Sequence, residues 1–179
     1  MKDPILFYKF AVDSQVFFKS SHTYALVNLK PLVPGHVLVV PLRTSVLRFG
    51  DLTPVESQDY MASLQTVQKL ITRVYHADSL NLAIQDGPES GQLVPHLHTH
   101  IIPRFKDDKF DDSIHKQLES LDLAAAYDDF FVRKTRFQNS PGFVLTPDED
   151  RHPRSETEMA KEAAWLREEL KKFQAVGGI

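Results

Sequence analysis

Three histidines stand at every second position of the stretch VPHLHTHIIPR, residues 94 to 104: His96, His98 and His100. Arg104 closes the stretch, and no acidic residue interrupts it. A strand sends successive side chains to opposite faces, so as a strand this segment presents three imidazoles on one face and Leu97, Thr99 and Ile101 on the other. A helix would scatter them. Three chemistries fit such a row. The plainest is packing, with the histidines as core or surface residues. The second is a metal: imidazoles at i and i+2 on a strand can share zinc, and three imidazoles with a water form a catalytic set. The nearest acids for an outer shell, Asp86 and Glu89, fall in a loop. The third is nucleophilic attack on phosphorus by a neutral imidazole, with the flanking rings orienting it, protonating a leaving group and stabilising charge. Imidazole titrates near neutral pH, so one row can hold both protonation states. The preceding QDGPESGQLVPH, residues 85 to 96, has two glycines and several backbone amides able to face an anion, and is otherwise a plain turn.

The 179 residues are 42% hydrophobic and 25% charged, which predicts one globular domain, and the formal net charge of −3 gives no general attraction for nucleic acid. The chain has no cysteine, which excludes disulfides, thiolate zinc sites and cysteine nucleophiles. Its N-terminus, MKDPILFYKF, has no signal-peptide pattern, and no apolar run reaches transmembrane length. The expectation is a protein of the cytoplasm or nucleus with no membrane partner.

The elements that must hold the row read as follows. QVFFKS, TYALVNL and HVLVVPL are short strands bounded by turn residues, with Pro34-Gly35 as a turn. Thr53, Pro54 and Glu56 make a capped helix start. Met61, Leu64, Val67, Ile71 and Val74 then supply one apolar face. LNLAIQ returns as a strand, DGPESG turns, and the histidine strand follows. Residues 106 to 154 read as a mobile insertion with a short helix near 113 to 121. A last helix starts at Ser155 with Glu158 as capping partner and buries Met159, Ala163, Leu166, Leu170 and Phe173. The predicted class is α+β, an antiparallel sheet with one long helix and a C-terminal helix.

HLHTHIIPR resembles the histidine-triad motif, in which three histidines alternate with mostly apolar residues; Thr99 is the small departure. ALVNLKPLVPGHVLVVPLR, IQDGPESGQLVPH and SETEMAKEAAWLREEL look like the fragile-histidine-triad branch. The resemblance covers residues 5 to 104 and 155 to 173. It implies a single domain whose sheet continues across a homodimer, and a diadenosine polyphosphate hydrolase of fungal type that releases AMP. By that resemblance His98 is the nucleophile and His100 contacts the α-phosphate region. His96 and His36 support the row, and Gln85 holds a phosphate or bridging oxygen. Asn28 would bind the ribose, with Leu26 near the base, and Gly91, Gln92, Leu93 and Val94 would line the phosphates through their backbone. Lys9 stands where relatives can carry a ligand-contacting histidine. The resemblance implies no tightly bound cofactor and no metal on the triad, with magnesium or manganese accompanying the polyphosphate. The absent cysteines argue against a DNA-end deadenylating relative, and the intact His100 against a nucleotidylyltransferase. A purine phosphoramidase and a nucleotide-binding sensor signalling through the insertion stand as alternatives.

Overall fold

The structure is a computed structural model in which residues 3–108, 113–128 and 153–177 are described. Its centre is a five-stranded antiparallel sheet in the order β3-β4-β5-β7-β6. The strands are β3 (Val16–Lys19), β4 (Thr23–Val27), β5 (Val37–Pro41), β6 (Ser79–Ile84) and β7 (Thr99–Arg104). A separate hairpin of β1 (Leu6–Phe7) and β2 (Phe10–Ala11) turns at Tyr8, a residue with φ of 56°.

The long helix α1 (Pro54–Tyr75) begins as its sequence predicts. Thr53 Oγ1 accepts from the Glu56 amide, and Glu56 accepts from the Thr53 amide at 2.9 Å, so two N–H groups that helix geometry leaves without partners are satisfied. Arg43 grips the same carboxylate with two N–H groups at 2.8 and 2.7 Å and holds the Glu56 pKa down to about 2. The buried stripe runs through Tyr60, Leu64, Val67, Leu70 and Ile71. Met61, expected on that face, is half exposed: it lies about 100° round the helix from Tyr60, which holds the stripe's centre instead. The Tyr60 hydroxyl donates to the Val39 carbonyl at 2.9 Å and sits 2.7 Å from Thr99 Oγ1, pinning α1 to β5 and β7.

Register then decides what lies on each face. Ala25, Val39 and Thr99 are cross-strand neighbours, and Tyr60 places α1 over them. The alternate row, Leu26, Leu38, His100 and Ala83, faces away from α1. Pairing between β5 and β7 begins only at Val39 and Thr99, so His96 and His98 precede the strand expected to contain them. Pro41, near the end of this pairing, has no N–H for a further rung, and the Leu97 amide turns to the Val46 carbonyl at 2.8 Å.

The C-terminal helix, here α3 (Glu156–Ala175), has its own capping box at Ser155 and Glu158. It buries Met159, Ala163, Leu166 and Phe173, with Leu170 partly covered. Arg167 Nε donates to the Val16 carbonyl at 3.0 Å and ties this helix to β3. Part of the expected mobile insertion is built into the domain. In the short helix α2 (Ile114–Glu119), Ile114 and Leu118 close a cluster with Leu32, Val33 and Ile102. Tyr127 is buried, stacks on Phe10 and donates to Gln15 Oε1 at 3.0 Å. The rest of that expectation, residues 109–112 and 129–152, lies outside the described residues.

Tyr60→Phe leaves the buried Thr99 hydroxyl without its side-chain partner. The expected cost is about 1–2 kcal/mol of unfolding free energy in a denaturant titration, with the fold retained. A change within error would mean that the hydroxyl does not pin the helix.

Candidate active site

The sheet face away from α1 gathers the expected site residues from four places. His98 lies just before β7 and His100 within it, with ring centroids 5.1 Å apart. His36 stands just before β5, its ring 5.2 Å from that of His100. Gln85 follows β6, where the register of Ala83 with His100 and Ile84 with Thr99 sets it opposite His98. Asn28 follows β4 and is wholly buried.

His36 is delivered by the predicted turn. The His36 amide donates to the Val33 carbonyl at 3.1 Å, and Gly35 takes φ of 81°, the conformation the third position of such a turn requires. A Cβ on Gly35 would also sit 2.7 Å from the Tyr75 ring.

Hydrogen bonding to the backbone assigns each ring its tautomer. The Leu32 amide donates to His36 Nδ1 at 3.0 Å, so the neutral ring carries its hydrogen on Nε2. That Nε2 lies 2.9 Å from His100 Nδ1, which therefore accepts, and the His100 hydrogen is on Nε2. His100 Nε2 is buried with no partner among the described residues. Gln85 Nε2 is buried and unpartnered in the same way. The Asn28 amide, whose oxygen accepts from the Lys30 amide at 3.0 Å, turns its nitrogen to within 3.2 Å of His36 Nε2, itself a donor to His100 in this tautomer. His96 is fully engaged: Nδ1 accepts from the Tyr8 amide and Nε2 donates to the Pro41 carbonyl, each at 3.0 Å. His98 Nδ1 donates to the His96 carbonyl at 2.8 Å, which leaves the Nε2 lone pair as the one uncommitted imidazole acceptor of the four rings.

Burial drives all four rings toward the neutral form. Desolvation, with the charges of Arg154 and His98, pushes His36 down to about 3. Desolvation and His98 push His96 down to about 4. Burial lowers His98, against an opposing contribution from the His96 carbonyl, and it lowers His100 further. Chemically, the site is a neutral nitrogen nucleophile next to two N–H donors that have nothing to donate to. A metal would find one free lone pair here, fewer than zinc takes, and no group of three His, Asp or Glu side chains among the described residues is arranged to hold one.

The structure places the other expected site residues as follows. The amides of Gly91 and Gln92 are not open to an anion, because they donate to the carbonyls of Pro88 and Gly87 at 3.0 and 3.1 Å. Gln92 uses its side chain to tie Gly87 to the Leu47 carbonyl. Gly91, with φ of 88°, leaves room for Gln85: a Cβ there would sit 2.5 Å from Gln85 Nε2. Leu93 is exposed, while Val94 and Leu26 belong to the core. Lys9 extends outward and pairs with Asp128 at 2.9 Å, above the Phe10 ring. Arg104 is held by Asp108 and Asn81. Two groups that sequence reasoning missed wall the site. Phe7 meets the His98 ring edge-on at 5.4 Å and is backed by Tyr127. Arg154 binds the Asn28 carbonyl. No local pattern marks either; both are brought in by chain reversals far from the motif.

Residues 9–107 match the HIT domain family. The chain is 48% identical to a bis(5'-adenosyl)-triphosphatase of Saccharomyces cerevisiae, across 97% of this chain and 95% of that protein. It is 44% identical to an asymmetrical bis(5'-nucleosyl)-tetraphosphatase of Schizosaccharomyces pombe, across 93% and 94% of the two chains. Among solved structures it resembles the C. elegans NitFhit protein at a TM-score of 0.66 and 29% identity, covering 93% of this chain and 30% of that one.

The neutral rings make stability pH-dependent. A histidine whose pKa is depressed in the folded state binds its proton only in the unfolded chain between 6.5 and its folded value, so unfolding is favoured as pH falls below 6.5. Each such ring contributes a slope of up to about 1.4 kcal/mol per pH unit. Unfolding free energy should therefore fall from pH 6.5 to about 5, before the carboxylates titrate. A flat profile over that window would contradict the neutral assignment.

Proposed function

The chain is a member of the HIT domain family, and from that membership and the geometry of its imidazoles we propose that it hydrolyses dinucleoside polyphosphates asymmetrically, releasing AMP. The observation that carries the reading is the tautomer of His98. Its Nδ1–H is held by the His96 carbonyl, so the Nε2 lone pair is available beside the free donors of His100 and Gln85.

In this reading His98 Nε2 attacks the α-phosphorus of the bound dinucleotide. A nitrogen–phosphorus bond forms, and the bond from that phosphorus to the bridging oxygen breaks, its electron pair leaving with the departing nucleotide. His100 Nε2–H donates to an α-phosphate oxygen, and Gln85 Nε2–H to a phosphate or the bridging oxygen, where negative charge grows. Water then attacks the adenylyl-imidazole, the electron pair returns to His98, and AMP departs with the water's oxygen. His36 and His96 hold the row in its tautomers, and Asn28 contacts the ribose. Magnesium or manganese enters as part of the substrate, screening its phosphates.

The proposed assembly is a homodimer formed through α1 and its neighbouring strand. Leu82 and Ile84 on the edge strand β6 and Met61 on α1 are exposed apolar side chains that a two-fold contact would cover. Among the described residues no helix is long and apolar enough to cross a membrane. The proposed location is the cytoplasm, with the nucleus as a second compartment.

His98→Asn should lower kcat for diadenosine triphosphate or tetraphosphate by several orders of magnitude while substrate still binds. Retention of more than about a tenth of kcat would sink the nucleophile assignment. Elemental analysis of dialysed protein should find no stoichiometric zinc; one equivalent would revive a metal mechanism. Light scattering at micromolar protein should give twice the chain mass, and Leu82→Asp should shift it toward one. A wild-type monomer would rule the dimer out.

A further inference from the structure

The loop from Asn28 to His36 carries two site residues, and its two ends are held by different parts of the fold. At the His36 end the grip is local and redundant. The Leu32 amide and the Val33 carbonyl bond to His36, and the Tyr75 ring packs on Gly35. At the Asn28 end the main chain is held from a distance by Arg154. Its Nε donates to the Asn28 carbonyl at 3.0 Å, a second guanidinium nitrogen donates to the same oxygen, and its amide donates to the Leu29 carbonyl at 3.0 Å. The remaining arm of the guanidinium pairs with Glu162 on α3. The other oxygen of Glu162 accepts from the Tyr75 hydroxyl at 2.6 Å, at the end of α1.

We infer that Arg154 is a positioning residue for the reaction: braced by Glu162 and Tyr75, it fixes the main-chain carbonyl of Asn28 and thereby sets where the Asn28 amide meets substrate. The inference rests on the proposed role of Asn28 at the ribose. Three features support it. Arg154 and Glu162 are mostly buried, with side-chain exposures of 21% and 17%, so their pairing is little screened by water. The contact needs a planar fork that reaches a carbonyl and a carboxylate at once, which an ammonium group cannot supply. The Arg154 charge also lies close enough to His36 to help keep that ring neutral.

Because His36 has its own anchors, loss of the Arg154 contact should reach Asn28 first. Its signature is therefore a split between KM and kcat, read with diadenosine triphosphate on the full-length chain. Arg154→Ala should raise KM about tenfold and change kcat less than about threefold, and Arg154→Lys should not restore KM. Asn28→Ala should raise KM too. In the Asn28→Ala background, Arg154→Ala should add less than about twofold, since both changes remove one positioning unit. Should Arg154→Ala fail to fold by circular dichroism, Arg154→Lys and Glu162→Gln carry the same comparison. Unchanged KM in the Arg154 variants, or a full multiplicative increase in the double variant, overturns the inference while leaving the reading of Asn28 intact. An Asn28→Ala variant with wild-type KM overturns both, and that single variant tells the two failures apart.

Discussion

The site depends on one hydrogen-bond relay. The Leu32 amide donates to His36, His36 donates to His100, and His100 is left with an N–H that has no partner. Each link is set by the one before it, because a neutral imidazole has one donor and one acceptor. A backbone amide cannot accept, so the relay has one direction. It turns a turn residue, Gly35, and a loop amide into an unpartnered donor in the candidate site. The second relay is shorter, from the His98 Nδ1–H to the His96 carbonyl, and it leaves the Nε2 lone pair uncommitted instead. Backbone geometry thus produces a free donor and a free lone pair from two residues of the same type two positions apart.

This arrangement works only if the rings stay neutral. A protonated His36 could not accept from Leu32, and a protonated His100 could not accept from His36. Burial enforces neutrality, because desolvation is the leading cause of every lowered pKa in the row. The core that supplies the burial is the same one that makes the domain: Phe7 and Tyr127 on one side, Leu26 and Leu38 in the row beside His100. The dry surroundings also leave the unpaired N–H groups of His100 and Gln85 at a cost that a bound acceptor would relieve. Stability and readiness for an anion are therefore opposed in these two atoms.

Local signals in the sequence were the readable part. Both long helices start at capping boxes, Thr53 with Glu56 and Ser155 with Glu158, because those bonds lie within four residues. The alternation of His98 and His100 with Thr99 gave the faces correctly, since side-chain parity survives wherever the backbone is extended. The start of β7 was not readable, because it depends on Pro41 in another strand. Met61 falls outside the stripe for a similar reason: the stripe is centred on Tyr60, whose hydroxyl finds its partners only in Val39 and Thr99 of distant strands. Tautomers, and the contacts of Arg154 and Tyr127, are long-range facts that no spacing encodes.

The glycine-rich loop before the row suggests a backbone cradle for phosphate, yet its amides at Ser90, Gly91 and Gln92 are occupied by carbonyls of the same loop. One contribution of the loop is steric. Gly91 gives the Gln85 amide the space that a side chain would fill. The two unpartnered N–H groups, of Gln85 just after β6 and His100 on β7, are placed by the sheet. Such donors are fixed in position, so they cannot follow a ground-state phosphate as it shifts. For the proposed reaction that is an advantage: interactions that strengthen only as charge develops lower the barrier, while uniform grip on substrate lowers KM alone. The four neutral rings bring no formal charge of their own to the polyphosphate. In the proposed reaction, tight ground-state binding through these rings is thereby limited.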